Sequence, residues 1–134
     1  MTTATPIYEL IYVSTLDPQA PPTVVADIAS KARRFNEANG ITGLLVFDGM
    51  RFCQQIEGSQ KQVLALLERI RDDPRHMNLE VVHHGPLAQR RFRNFSLAYT
   101  TTDDEMVLAE LEKLDAEPAV EAFVKLLGTL DLAP

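Results

Sequence analysis

Apolar residues recur along this chain in two rhythms, one alternating and one helical, and the order in which the rhythms change predicts the fold. Residues 7–14 are apolar on both alternating sets, as expected of a central strand covered on both faces. After Asp17-Pro18-Gln19-Ala20-Pro21-Pro22, the residues Val25, Ile28, Ala29, Ala32 and Phe35 fall at helical spacing, with Thr23 as N-cap and Asn39-Gly40 as the stop. Residues 41–47 and 51–57 flank Asp48-Gly49, the signature of a short hairpin. Ser59 and Gln62 have the spacing of a capping box and open a second helix with the stripe Val63, Leu66, Leu67 and Ile70, stopped at Asp73-Pro74. Two further strands are expected at 79–84 and 92–100.

The resulting order, β-α-β-β-α-β with one strand added, is that of an α+β, ferredoxin-like sheet with two helices on one face. Beyond Thr102 the pattern changes to Met106, Val107, Leu108, Leu111 and Leu114, then Val120, Phe123, Val124 and Leu127. It predicts two short amphipathic C-terminal helices, broken near Glu117-Pro118, that cover the other sheet face or form an oligomer contact. The expected organisation is a flexible N-terminus at 1–6, a sheet domain at 7–101 and a helical extension at 102–134.

Within the third strand, Phe52, Gln54 and Ile56 share one face, and Cys53, Gln55 and Glu57 share the other. A carboxamide on an apolar face needs a partner, since burying it unpaired costs about 1–3 kcal/mol. Tyr12, Asn36 and a bound polar heterocycle are the candidates. Tyr12 shares its strand face with Tyr8, Leu10 and Ser14, and Asn36 stands at the edge of the first helical stripe, four residues beyond Ala32. Arg69 and Asp73, four apart, can approach the inner face of the second helix near its end.

Composition narrows the function. With 134 residues, 46% of them hydrophobic, the chain fits one domain with a real core. A net charge of −6 speaks against nucleic acid as partner. The single cysteine, Cys53, excludes an internal disulfide and suits a reducing compartment. No apolar run approaches the ~20 residues of a membrane span, and residues 1–6 lack the features of a signal peptide, so a cytoplasmic location is expected. His83 and His84 are strand neighbours that point to opposite faces, and no metal site is predicted.

The segments Ile11-Tyr12-Val13-Ser14, Asn36-Glu37-Ala38-Asn39-Gly40-Ile41-Thr42-Gly43, Phe52-Cys53-Gln54-Gln55-Ile56-Glu57-Gly58, Asp73-Pro74-Arg75-His76 and Arg91-Phe92 together resemble the BLUF family of blue-light sensors. The resemblance implies a non-covalent flavin, FAD with FMN as the other choice, held between the two helices. It implies that under blue light Tyr12 gives up an electron and a proton by way of Gln54, and that their return leaves the Gln54 hydrogen bonds rearranged. A phenol can supply both particles, and an amide, being donor and acceptor at once, can pivot or tautomerise. By the same resemblance Asn36 bonds the pyrimidine end of the flavin, while Ile28, Phe52 and Ile70 pack against its ring. Arg69, Asp73 and His76 contact its polar edge or ribityl chain, and Arg75 lies near the polar tail.

Many relatives carry Trp-x-Met where this chain has Phe95-Ser96-Leu97, the expected signal relay, and Ala32 stands where serine is frequent. The reading is of a short sensor that is not itself an enzyme. It would signal to an unidentified protein partner or through homo-oligomer assembly, with no nucleic acid or membrane involved. Two alternatives are a ligand-binding regulatory module without photochemistry and an acylphosphatase-like hydrolase on the same fold. The latter needs an anion-cradling loop with an arginine, which residues 14–18 do not supply.

Overall fold

The computed structural model describes residues 6–21 and 23–130. The N-terminus expected to be flexible lies, apart from Pro6, outside the described residues, as do the last four residues of the helical extension. In chain order the elements are β1 (Ile7–Leu16), α1 (Val24–Ala38), β2 (Thr42–Phe47), β3 (Arg51–Gly58), α2 (Gln60–Arg71), β4 (His76–Leu87), β5 (Ala98–Thr101), α3 (Glu105–Leu111) and α4 (Ala116–Leu127). One sheet has the order β4-β1-β3-β2-β5. Its first four strands are the ferredoxin-like arrangement, and β5 joins as the added strand, parallel to β2.

Alternation sorts the strand residues between two cores. On one face Leu10, Tyr12 and Ile56 pack with Val63, Leu66 and Leu67 of α2, while Leu45 and Phe52 pack with Val25, Ile28 and Ala29 of α1. On the other, Ile11, Val13, Leu44, Val46 and Cys53 meet Leu108, Leu111, Ala119, Phe123 and Leu126. The two terminal helices therefore cover the sheet face opposite α1 and α2. At about 25 cal/mol per Å² of apolar surface removed from water, this cover is what allows both strand faces to be hydrophobic.

Local chemistry fixes the register. Asp48 Oδ1 accepts from the backbone N–H groups of Met50 and Arg51 at 2.9 and 2.6 Å, and Gly49 takes a φ of 99°, closing the β2–β3 hairpin. Gly43 allows β2 to approach β3 closely, because a Cβ there would lie 2.1 Å from the carbonyl oxygen of Gln55. The Ser59 side chain caps α2 by accepting from the Gln62 N–H.

Four expectations are corrected. Thr23 precedes α1 but is itself helical, with no side-chain cap bond. The fourth strand extends beyond 79–84 in both directions, pairing from Leu16↔His76 to Ile7↔Leu87, and Pro86 is accommodated because β4 lies at the sheet edge. The strand expected at 92–100 is confined to 98–101, and residues 92–97 form a connection held by side chains. The helical break falls before Ala116, not at Glu117-Pro118: Pro118 sits in the first turn of α4, where a missing N–H costs nothing.

Candidate functional site

The cleft lies between α1 and α2 over the sheet. Its volume is about 330 Å³, and Ile28, Ala32 and Phe35 of α1, Leu66, Arg69 and Ile70 of α2, Leu45 and Gln54 of the floor, and Asp73, Arg75 and His76 line it. That volume lies at the lower end of the range of small-molecule sites, roughly 300–1,000 Å³. The apolar residues come from the two helical stripes and from Leu45 of β2; the polar ones come from Gln54, from Lys31 and Arg69 on the helices, and from the α2–β4 junction.

Tyr12 and Gln54 face each other in the β1–β3 register. The Tyr12 hydroxyl donates to Gln54 Oε1, and the phenol is wholly buried. Burial above all, with Cys53 and Asp73 adding to it, holds the phenol pKa well above the ordinary value, so Tyr12 is a neutral donor. Since the phenol occupies Oε1, the other half of the amide is free: Gln54 Nε2 is buried without a partner. Asn36, also fully buried, donates through Nδ2 to the Ser96 carbonyl at 2.8 Å, and its Oδ1 likewise has no partner.

Each orphan costs about 1–3 kcal/mol unpaired. Gln54 lines the cleft, so its free donor marks a place for a ligand acceptor, whereas Asn36, like Phe52, is not among the lining residues and lies behind the α1 wall. A flavin ring carries an N–H and carbonyl oxygens on its pyrimidine edge and two apolar faces, so the residues present fit it.

His76 begins β4 beside this pair. Its Nδ1 lies 2.9 Å from Ser14 Oγ, its ring stands edge-on to Tyr12 at 6.1 Å, and Phe52 packs against it at 4.9 Å. Burial is the main reason that its pKa falls from 6.5 to about 4, so the imidazole is neutral near pH 7. Unfolded histidine takes a proton below its ordinary pKa, whereas the folded site resists until about pH 4. The contribution of His76 to stability is therefore constant above that range and is lost as pH falls from 6.5 to 4. Denaturant titrations should show this slope and should lose most of it in His76→Gln; an unchanged slope in the variant would place the titration elsewhere.

The remaining predicted residues occupy distinct places. Asp73 pairs with Arg75, not with Arg69: Nη2 of Arg75 lies 2.7 Å from Asp73 Oδ2, and Nη1 reaches Asp27 of α1 at 3.2 Å. The guanidinium beside it holds the Asp73 carboxyl below the usual carboxylate range. Arg69 instead lies over the Phe35 ring, 4.4 Å from its centroid. Phe52 is completely buried and is not among the lining residues; it sits between His76 and Phe47, whose ring is 4.8 Å away. Leu97 packs in the cluster of Ile28, Leu45 and Phe52, whereas Phe95 packs in the cluster of the terminal helices.

Several lining residues were not singled out from the sequence. Leu45 stands directly opposite Gln54 in the hairpin register, which alternation from Asp48-Gly49 could have revealed. Phe35 and Leu66 belong to the recognised stripes. Lys31, which pairs with Asp27 at 3.2 Å, and Asp72, the C-cap of α2, are surface-patterned and carry no local signal.

Fold and cleft together define a module that holds a planar heterocycle between two helices, with a phenol–amide pair at its edge. The chain belongs to the BLUF family, sensors of blue light using FAD, whose sequence model matches residues 7–98. The blue light- and temperature-regulated antirepressor BluF of Escherichia coli is 37% identical over 83 residues, 62% of this chain and 21% of that protein. The beta subunit of a photoactivated adenylate cyclase of Euglena gracilis is 36% identical over 80 residues, 60% of this chain and 9% of that one. The chain thus spans only about a fifth or less of these relatives. Among solved structures, the dark state of the BLUF protein BlrB superposes with a TM-score of 0.76 at 28% identity, covering 94% of this chain and 98% of that one. The photo-activated state of BlsA gives 0.80 at 25% identity, covering 96% and 99%. The protein is a flavin-binding blue-light sensor. Among the described residues no helix is long and apolar enough to cross a membrane.

Proposed function

We propose that Tyr12 is the electron and proton donor of this photoreceptor and Gln54 its hydrogen-bond switch. The flavin, when bound, supplies light absorption and a transient electron sink. Every other part of the cycle is assigned to the chain. Tyr12 releases its proton along the bond to Gln54 Oε1 as the electron leaves, because the buried site does not favour a phenolate. When electron and proton return, the Gln54 amide has pivoted or tautomerised and offers the cofactor a different hydrogen bond. The apolar walls of Ile28, Ala32, Leu45 and Ile70 exclude water from the proton path.

The observation that carries this reading is the Tyr12–Gln54 hydrogen bond with Gln54 Nε2 left over at the cleft. Asn36 is assigned to the polar edge of the flavin; Ile28 and Ile70 to its faces, with Phe52 backing the floor; and Arg69, Asp73 and His76 to its polar edge or ribityl chain. Arg75 is assigned to a phosphate-bearing tail, which both FAD and FMN possess. Output runs through Phe95 and Leu97 to the terminal helices and from there to a protein partner or a change in homo-oligomer assembly, in the cytoplasm, without catalysis by this module.

The test is the visible absorption spectrum before and after blue light. A red-shifted flavin band that relaxes in the dark is expected, and a flavin spectrum indifferent to light would overturn the assignment. Asn36→Ala should weaken flavin retention by about 5- to 150-fold, the equivalent of 1–3 kcal/mol for an unmatched polar edge. Flavin occupancy equal to that of the parent would place the pyrimidine edge elsewhere.

A further inference from the structure

On the face of β3 turned away from the cleft, Gln55 and Glu57 are wholly buried, and Glu9 of β1 is almost so. Glu9 and Glu57 stand directly opposite each other in the β1–β3 register, a like-charge pairing that a sheet disfavours. The Gln55 amide bridges them, Nε2 donating to Glu9 Oε1 at 3.0 Å and to Glu57 Oε1 at 2.9 Å. Arg91 Nε donates to Glu9 Oε1, and His83 Nε2 lies 3.5 Å from Glu9 Oε2.

The other bonds to Glu57 reach the connection before β5. Its carboxylate accepts from the backbone N–H groups of Arg91 and Phe92 at 2.8 and 3.0 Å, and from Thr42 Oγ1 at 2.6 Å. The Phe92 bond stands where a strand would have made a ladder bond, and of the 92–97 backbone the Phe95 carbonyl accepts from the Gly43 N–H of β2 at 3.4 Å. The far end of the same connection is held from the cleft side, by Asn36 at the Ser96 carbonyl and Arg33 at the Leu97 carbonyl. Between these two attachments Phe95 packs on the terminal-helix core.

We propose that Gln55 and Glu57 are positioning residues for signal output. They couple β3, which carries Gln54 on its opposite face, to the seat of residues 91–97 and so to Phe95 and the α3–α4 pair. The inference deepens the photoreceptor reading and rests on it. A displacement of β3 at Gln54 moves the bridging amide at the next residue. Gln55 Oε1 has no partner, so this amide is one bond short and has an alternative pairing to gain. Glu57 passes the movement to two consecutive backbone N–H groups through short, directional, charge-assisted bonds.

The experiment is hydrogen exchange, in light and in darkness, on the full chain loaded with FMN, with visible spectra recorded on the same samples, for the parent, Gln55→Leu and Glu57→Gln. Both variants should show the parent's red shift, since neither side chain lines the cleft. In Glu57→Gln the Arg91 and Phe92 amides should exchange about 10-fold faster in the dark. The light-minus-dark difference across residues 92–127 should shrink several-fold in both. A parental difference in Gln55→Leu would overturn the proposal, even with altered dark exchange, because that is what a merely structural clasp would give. Should Gln55→Leu fail to fold, the isosteric Glu57→Gln decides by the same criterion. Absence of a red shift in the parent itself would overturn the photoreceptor assignment and this proposal with it, so the two failures are distinguishable.

Discussion

Gln54→Leu is expected to bind flavin and to show no light-induced red shift at all. Leucine keeps much of the volume and all of the apolar character of the floor beside Leu45, so the cleft that holds the ring survives. What disappears is the one side chain that both accepts from Tyr12 and leaves a donor at the cleft. The Tyr12 hydroxyl then lacks an acceptor in a fully buried position, at a cost of about 1–3 kcal/mol in folding stability. Difference absorption spectra after blue illumination give the result directly. A parental shift in Gln54→Leu would remove the glutamine from the mechanism, and loss of flavin from the variant would show that Gln54 serves binding before switching.

Tyr12→Phe should be equally complete in its effect and differ in its cause. The ring and its packing against Leu10, Ile56 and the α2 stripe remain, but the transferable proton does not, so the red-shifted state should not accumulate while flavin occupancy stays near that of the parent. Tyr8→Phe is the control. It shares the strand face, yet its hydroxyl is bonded to His84 at the sheet edge and not to Gln54. Equal losses from the two substitutions would mean that the donor is not Tyr12. The raised pKa of Tyr12 also fixes a sign: the folded phenol holds its proton more tightly than the unfolded one. Its contribution to stability is therefore complete below the ordinary value of 10.0 and is lost as pH climbs above it.

The parts of the fold legible in the sequence are those whose partners are close along the chain. The β2–β3 hairpin announces itself through Asp48-Gly49, α2 through Ser59 and its apolar stripe, and the two faces of β3 through simple alternation. Residues 92–97 read as a strand because Phe92, Phe95 and Leu97 are apolar, but Phe95 bonds back to Phe92 in a turn, and the ends of the segment are held by the side chains of Glu57, Asn36 and Arg33. Nothing local encodes partners some thirty or more residues away. Pro118 misled for the opposite reason: proline breaks a helix interior but suits its first turn, and only the start of α4 at Ala116 distinguishes the two.

At the site, the Tyr12–Gln54 contact followed from strand faces and resemblance together. The pairing of Asp73 with Arg75 and the placement of Arg69 on Phe35 did not, because neighbouring charges offer several pairings of nearly equal energy. The Glu9–Glu57 opposition escaped notice because an acidic residue in an apolar strand reads as an exposed position until the register is known.

The two outer strands of the sheet bear on how such a molecule meets others. β4 is long, but its pairing with β1 slips between Ile11 and Tyr12 and again between Val13 and Thr15; Asn78 takes a φ of 51°, and Pro86 lacks a donor. β5, on the far side, is four residues long. An interrupted margin and a very short one are both poor templates for another chain's backbone. Extension of the sheet by a second copy is thus discouraged at either side, which leaves side-chain surfaces, and the exposed Met106 and Val124 of the terminal helices among them, as the ground on which association has to be built.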